Sequence, residues 1–157
     1  MRAVRQTNLL SFVTVQHGEQ KRKYTGEPYT GHLVAVAECA EANNLKFGYE
    51  IGLCHDLFED TACTDQQLRT ALEAYGYMTN EIDFILQGTW DLTDKFILAD
   101  YPNFNRKQRK AMEVERLATI SANSQSIKYC DLIDNTKSIV RHDRNFARVI
   151  LLRKLSY

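Results

Sequence analysis

At 157 residues the chain is long enough to form one domain that buries roughly 70% of its unfolded surface. Twenty basic residues balance twenty acidic ones, so net charge offers no bulk attraction to nucleic acid, and none is expected as a partner. No run approaches the roughly 20 apolar residues that cross a bilayer, and the charged start does not read as a signal peptide. A cytoplasmic protein without a membrane partner is expected.

Only two prolines and few alternating runs point to an all-α protein, with residues 1–157 as a single domain. The first helix is expected over Val4–Gln16. A polar, basic loop from His17 to Pro28 follows, presenting Lys21, Arg22 and Lys23 around a turn at Gly26. Helix two is expected from Tyr29 to Asn43, with Leu33, Val36, Ala37 and Ala40 inward and His32 in its first turn. After a break at Asn43-Asn44, helix three should run from Lys46 to Asp60, because Phe47, Ile51, Cys54 and Phe58 recur at helical spacing.

Thr64 with Gln67 forms a capping box that starts helix four, which ends near Tyr75-Gly76. Thr79 is expected to cap helix five, whose core residues are Ile82, Ile85 and Leu86. Periodicity is lost from Asp91 to Asn103, a candidate flap over a site. A charged helix from Asn105 to Ser121 offers Met112, Leu117 and Ile120 to the core. The next helix spans Ser126–Val140, and a last one Asp143–Leu155 places Phe146, Val149, Ile150 and Leu152 inward. Cys39, Cys54, Cys63 and Cys130 show no CxxC spacing and read as buried, reduced thiols.

The chemistry concentrates in His55-Asp56-Leu57-Phe58-Glu59-Asp60. On a helix His55 lies beside Glu59 and Asp56 beside Asp60, so four ionisable groups crowd one helix end. Acids there oppose the helix dipole, and a divalent cation would offset them. Asp131, Asp134, Asn135 and Ser138 form a polar stripe where an apolar one is usual. Together His32, His55, Asp56 and Asp131 make a candidate metal set suited to Mn²⁺, Fe²⁺ or Zn²⁺. Glu59 and Asp60 stand where they could orient or deprotonate a water. Lys128 stays open between a helix-surface charge and a motif residue, His17 reads as structural and His142 as a surface residue.

The order H…HD…D resembles the HD-domain metal-dependent phosphohydrolases. Arg22-Lys-Tyr-Thr-Gly-Glu-Pro-Tyr-Thr-Gly-His32 is similar to the RKxxGxPYxxH signature of their alarmone hydrolases, the RelA/SpoT type. His55-Asp-Leu-Phe-Glu-Asp-Thr61 resembles the HDxxEDT signature, and Ile127-Lys-Tyr-Cys-Asp-Leu-Ile-Asp-Asn135 their IKLAD…N segment. These motifs span Phe12 to Ile139 in the family's order.

The resemblance implies a compact HD-domain helical fold, a single Mn²⁺, and removal of pyrophosphate from the 3′ position of (p)ppGpp. It implies that His32, His55, Asp56 and Asp131 hold the metal and that Glu59 and Asp60 are the catalytic acids. By the same resemblance Arg22 stacks on guanine, Lys23 lies near the phosphates, and Asn135 and Ser138 meet the nucleotide. Glu19 replaces a usual glycine, and Leu132 and Asp134 stand where many relatives carry Arg and His, departures that surround the nucleotide rather than the metal. Open alternatives are another nucleotide (an adenosine alarmone, NADPH or a nucleoside triphosphate) and a non-catalytic alarmone-binding protein. A homo-oligomer and an antitoxin-like partnership with an alarmone-synthesising toxin also stay open.

Overall fold

The computed structural model describes residues 1–143 and Asn145. Eight helices follow in order among these residues: α1 Val4–His17, α2 Thr30–Ala42, α3 Gly48–Cys54, α4 Leu57–Asp60, α5 Asp65–Ala74, α6 Thr79–Leu92, α7 Arg106–Leu117 and α8 Ala122–His142. The all-α expectation holds. The expected last helix, with Phe146, Val149, Ile150 and Leu152, lies outside the described residues apart from Asp143 and Asn145 at its start. No helix among the described residues is long and apolar enough to cross a membrane.

Helix α3 is the hub. Every residue in it is buried, and it packs against α1, α2, α6 and α8. Its closest neighbour is α2, and Gly52 is the reason the two backbones can meet. A Cβ at Gly52 would stand 2.6 Å from the Ala37 Cα and 2.8 Å from the Ala37 nitrogen, which no side chain tolerates without moving a helix. Leu33, Val36, Ala37 and Ala40 on α2 close over Ile51, Leu53 and Cys54, with Leu9 and Val13 of α1 and Ile82 and Ile85 of α6 completing the core. The expected core positions of helices two, three and five are therefore largely the observed ones.

Several boundaries differ from the expected ones. The continuous helix expected over Lys46–Asp60 is two helices, because the chain breaks at His55-Asp56, with Asp56 at φ −103° and ψ 4°. Thr79 does not cap α6 but is its first residue. Met78 holds the cap position, and its N–H donates to Glu81 Oε2 at 2.8 Å. The Thr64–Gln67 capping box of α5 forms in both directions, at 3.2 and 2.8 Å. Helix α8 starts before Ser126, at Ala122, because Ser121 Oγ accepts the Ser124 N–H at 3.1 Å.

Helix α7 stops at Leu117, short of Ser121, and its core contribution is not apolar. Met112, Leu117 and Ile120 are only half-buried, while Glu113 is buried. Glu113 Oε1 accepts the N–H groups of Lys95 and Phe96 at 2.6 and 2.7 Å, and Oε2 accepts Arg116 Nε at 2.9 Å. Arg116 also donates to the carbonyls of Asp91 and Thr93, at 3.0 and 3.1 Å. An ion pair thus ties down the irregular stretch after α6 that the lost periodicity marks. All four cysteines are free thiols, with the Cys39 and Cys130 sulfurs in contact across α2 and α8.

Candidate metal centre

Two imidazoles face each other in the core. His32 on α2 and His55 at the end of α3 are both about 1% exposed, with ring centroids 5.1 Å apart. Each ring is fixed by a hydrogen bond at Nδ1. The His55 Nδ1–H donates to the Gly52 carbonyl at 2.7 Å, and His32 Nδ1 meets Asp134 Oδ2 at 2.6 Å. Neither acceptor can donate, so both rings carry their proton on Nδ1 and turn Nε2 to the same space. Neither Nε2 has a hydrogen-bond partner, although both atoms are buried.

Carboxylates fill the other side of that space. Asp56 Oδ2 lies 3.0 Å from His55 Nε2 and 3.8 Å from His32 Nε2. Asp131 Oδ1 lies 3.2 Å from His32 Nε2 and 3.6 Å from His55 Nε2. Ligand atoms of His32, His55 and Asp56 all fall within 4.8 Å of one another. The third and fourth sides are thus acidic, the donor set is two nitrogens with carboxylate oxygens, and the buried nitrogens are otherwise orphaned. Such a set fits a borderline divalent ion. Asp131 stands against both imidazoles rather than inside the three-residue group, so it completes the set at its edge.

Electrostatics point the same way. Burial favours a neutral His55, yet Asp56 and Asp131 overcome it and push the imidazole up to about 10. Against its own burial, Asp56 is held at about 2 by His55 and by Tyr29. Asp131, also despite burial, is held well below the usual carboxylate range by His32, His55 and Lys128. A second proton on His55 occupies the place of a cation in this cluster.

A ring of polar groups holds these four side chains in place. Tyr29 Oη donates to Asp56 Oδ2 at 2.6 Å, and burial together with Asp56 keeps its phenol protonated far above the usual range. Lys128 Nζ donates to Asp131 Oδ2 at 2.7 Å, so of its two readings the motif residue, a partner of the site, is the one the contact favours. Asn135 Nδ2 donates to Asp131 Oδ1 at 2.7 Å. Sequence reasoning missed Tyr29 and Asp134 as partners. The polar stripe on α8 was the available signal for Asp134, and for Tyr29 it was its place in the Pro28-Tyr29-Thr-Gly-His32 end of the first motif.

Glu59 and Asp60 lie on α4, directly after the metal cluster, and line a cleft of about 560 Å³ with Phe58, Trp90, Asp94 and Lys95. The stretch expected as a flap does border this cleft. The Asp94 N–H donates to Glu59 Oε1, and Lys110 pairs with Asp94 at 2.7 Å. Glu59 remains open to solvent at the cleft, although protein surrounds its carboxyl on most sides. That enclosure raises its pKa to about 7; the Asp94 N–H opposes the rise, and the charges of Asp94 and Asp56 add to it. Asp60 Oδ2 accepts Gln20 Nε2 at 2.9 Å, and Gln20 Oε1 meets His17 Nδ1 at 2.7 Å. His17 is buried, as its structural reading implies.

On the other side of the cluster a smaller cleft of about 220 Å³ is lined by Arg22, Glu27, Asp134, Lys137, Ser138 and Arg141, among others. Exposed His142 also reaches it. Arg22 is anchored there, whereas Lys23 is exposed with Nζ 5.4 Å from the Tyr24 ring and is not among the lining residues. The expected nucleotide contacts therefore separate: Arg22 and Ser138 share a cleft, Asn135 serves Asp131, and Lys23 stands apart.

Neither the family models nor the curated proteins compared with this sequence give a match. The arrangement of helices does have a solved counterpart. That structure is a metazoan ortholog of SpoT, described as hydrolysing ppGpp and playing a role in starvation responses. The two superpose with a TM-score of 0.70 over 91% of this chain and 74% of that one, at 18% identity. The likeness establishes the compact helical HD-type fold.

Proposed function

We propose that the chain is a divalent-metal-dependent phosphohydrolase that removes the 3′-diphosphate of (p)ppGpp or a close alarmone analogue. One observation carries this reading: two buried, unpartnered Nε2 atoms converge with Asp56 and Asp131, and Glu59 and Asp60 follow on the next turn of chain. The order of these residues and the shared fold support it. Mn²⁺ is the favoured ion, with His32, His55, Asp56 and Asp131 as its holders. A divalent ion held there supplies Lewis acidity to phosphoryl oxygens and lowers the pKa of water.

The chain's own groups do the rest. Glu59, with a pKa near 7, is suited to take a proton from the attacking water at neutral pH. Asp60, held by Gln20, is placed to orient that water or the leaving group. Arg22 offers a planar cation on which a base can stack, with Ser138 beside it in the same cleft. Lys137 and Arg141 add positive charge there for the nucleotide's phosphates. The four free thiols suit a reducing, cytoplasmic setting.

The test is incubation of metal-stripped protein with ppGpp, with Mn²⁺ or with chelator, and separation of products by ion exchange. GDP and pyrophosphate should appear only with Mn²⁺, and not with an E59Q/D60N variant. Intact ppGpp despite Mn²⁺ binding overturns the substrate. Asp134 in the nucleotide cleft, where many relatives carry His, makes adenosine alarmones, NADPH and nucleoside triphosphates the next substrates to assay. Bound but unconverted ppGpp, or a stable complex with an alarmone-synthesising toxin that survives D131A, would mark a binding or antitoxin-like role instead.

A further inference from the structure

Asp134 touches both halves of the site. It sits on α8 one turn after Asp131, and its Oδ2 lies 2.6 Å from His32 Nδ1 and 2.9 Å from an Arg22 guanidinium nitrogen. His32 is about 1% exposed, and the Arg22 and Asp134 side chains are only 16% and 20% exposed. An ion pair between Arg22 and Asp134 alone would be a modest contact. The third member changes its meaning, because the same oxygen fixes the tautomer and rotation of a buried imidazole.

We propose that Asp134 is a positioning residue that holds His32 Nε2 toward the metal site and, through the same oxygen, holds Arg22 at the mouth of the nucleotide cleft. This rests on the metal reading given above, and on no particular substrate. The carboxylate accepts the Nδ1–H, so the ring cannot turn over or move its proton without losing a buried hydrogen bond. A carboxylate behind a metal-binding histidine fixes the ring so that its free nitrogen points at the ion.

On the loop side, Arg22 is itself braced. Its N–H donates to the Glu27 carbonyl at 2.8 Å, and its carbonyl accepts the Gly26 N–H at 3.0 Å. The guanidinium can therefore keep an edge on Asp134 while a face stays available to a planar base. One carboxylate then sets the distance between the base platform and the metal. A histidine at this position could not accept from both donors at once, since a neutral ring has a single acceptor nitrogen.

The test measures Mn²⁺ binding to the metal-stripped chain by titration calorimetry, without substrate or turnover. Asp134→Ala should weaken Mn²⁺ binding by about 10- to 100-fold. Asp134→Asn, which keeps the shape and one acceptor but loses the charge, should fall between Ala and the parent. Arg22→Ala should leave Mn²⁺ affinity within about threefold, because only the outer contact is lost. Trypsin supplies a second readout on the metal-free chain: cleavage within residues 17–28 should quicken in Asp134→Ala, as the loop loses its anchor.

Circular dichroism identifies any variant that fails to fold, and the isosteric Asn variant then decides. Mn²⁺ affinity in both Asp134 variants within threefold of a parent that binds Mn²⁺ overturns the positioning role and leaves the metal reading intact. A parent that binds no divalent ion overturns both.

Discussion

Asn135 Nδ2 donates to Asp131 Oδ1 at 2.7 Å, and that same oxygen is the one Asp131 turns to both imidazoles, 3.2 Å from His32 Nε2 and 3.6 Å from His55 Nε2. Lys128 takes the other oxygen, also at 2.7 Å. The Asp131 carboxylate is thus gripped from one turn behind and one turn ahead on α8. Asn135→Ala should act first on the metal: Mn²⁺ affinity is expected to fall about tenfold or more by calorimetry without nucleotide. If Mn²⁺ binding is unchanged and only the KM for nucleotide rises, Asn135 serves the substrate directly.

Gly52 sets a stricter limit. It lets α3 touch α2 at Ala37, and its carbonyl receives the His55 Nδ1–H. A Gly52→Ala methyl would have to displace backbone, not a flexible side-chain tip. The expected loss is about 1–3 kcal/mol in urea unfolding, typical of an overpacked core. Metal affinity should fall along with it, because His32 and His55 sit on the two helices that separate.

How much of this was readable beforehand differs residue by residue. Helix identities and the α2–α3 core follow from apolar spacing, which depends only on neighbours in sequence. His32, His55, Asp56 and Asp131 could be grouped because ordered motifs carry them. The break at His55-Asp56 was hidden, because Phe58 continues the apolar rhythm of Ile51 and Cys54 straight through it. Glu113 was equally hidden: a glutamate in RKQRKAMEVERL looks solvated until the Lys95 and Phe96 amides arrive from a distant loop. Long-range polar pairs leave no period behind.

Glu113→Ala tests that pair. It strands two loop amides and leaves the Arg116 guanidinium, 17% exposed, without its carboxylate. Removing one member of a buried pair is expected to destabilise by roughly 3 kcal/mol. Glu113→Gln, which can still accept from the loop, should lose less. Urea unfolding of both variants checks the order.

Metal removal should be visible in stability alone. An ion that binds only the folded chain stabilises it by ~2.7 kcal/mol at 100 times its Kd. For a domain of this size that corresponds to a rise in Tm of about 5–10 °C. The rise should vanish in His55→Ala and Asp131→Ala and persist in Glu59→Gln, whose side chain is not part of the converging set. A rise that survives His55→Ala places the ion elsewhere.

The pH dependence of turnover isolates Glu59. Enclosure of its carboxyl raises the pKa to about 7, with the Asp94 N–H working against the rise and the Asp94 charge with it. A base acts only when ionised, so kcat/KM should climb as pH increases through about 7 and level off above it. Asp94→Asn removes the added negative charge but keeps the N–H donor, which should move the limb to lower pH. Glu59→Gln should erase the limb and reduce kcat by about 10²- to 10⁴-fold. If the rate instead falls as pH rises through 7, the protonated form is the working one, and Glu59 is the acid that delivers a proton to the leaving oxygen.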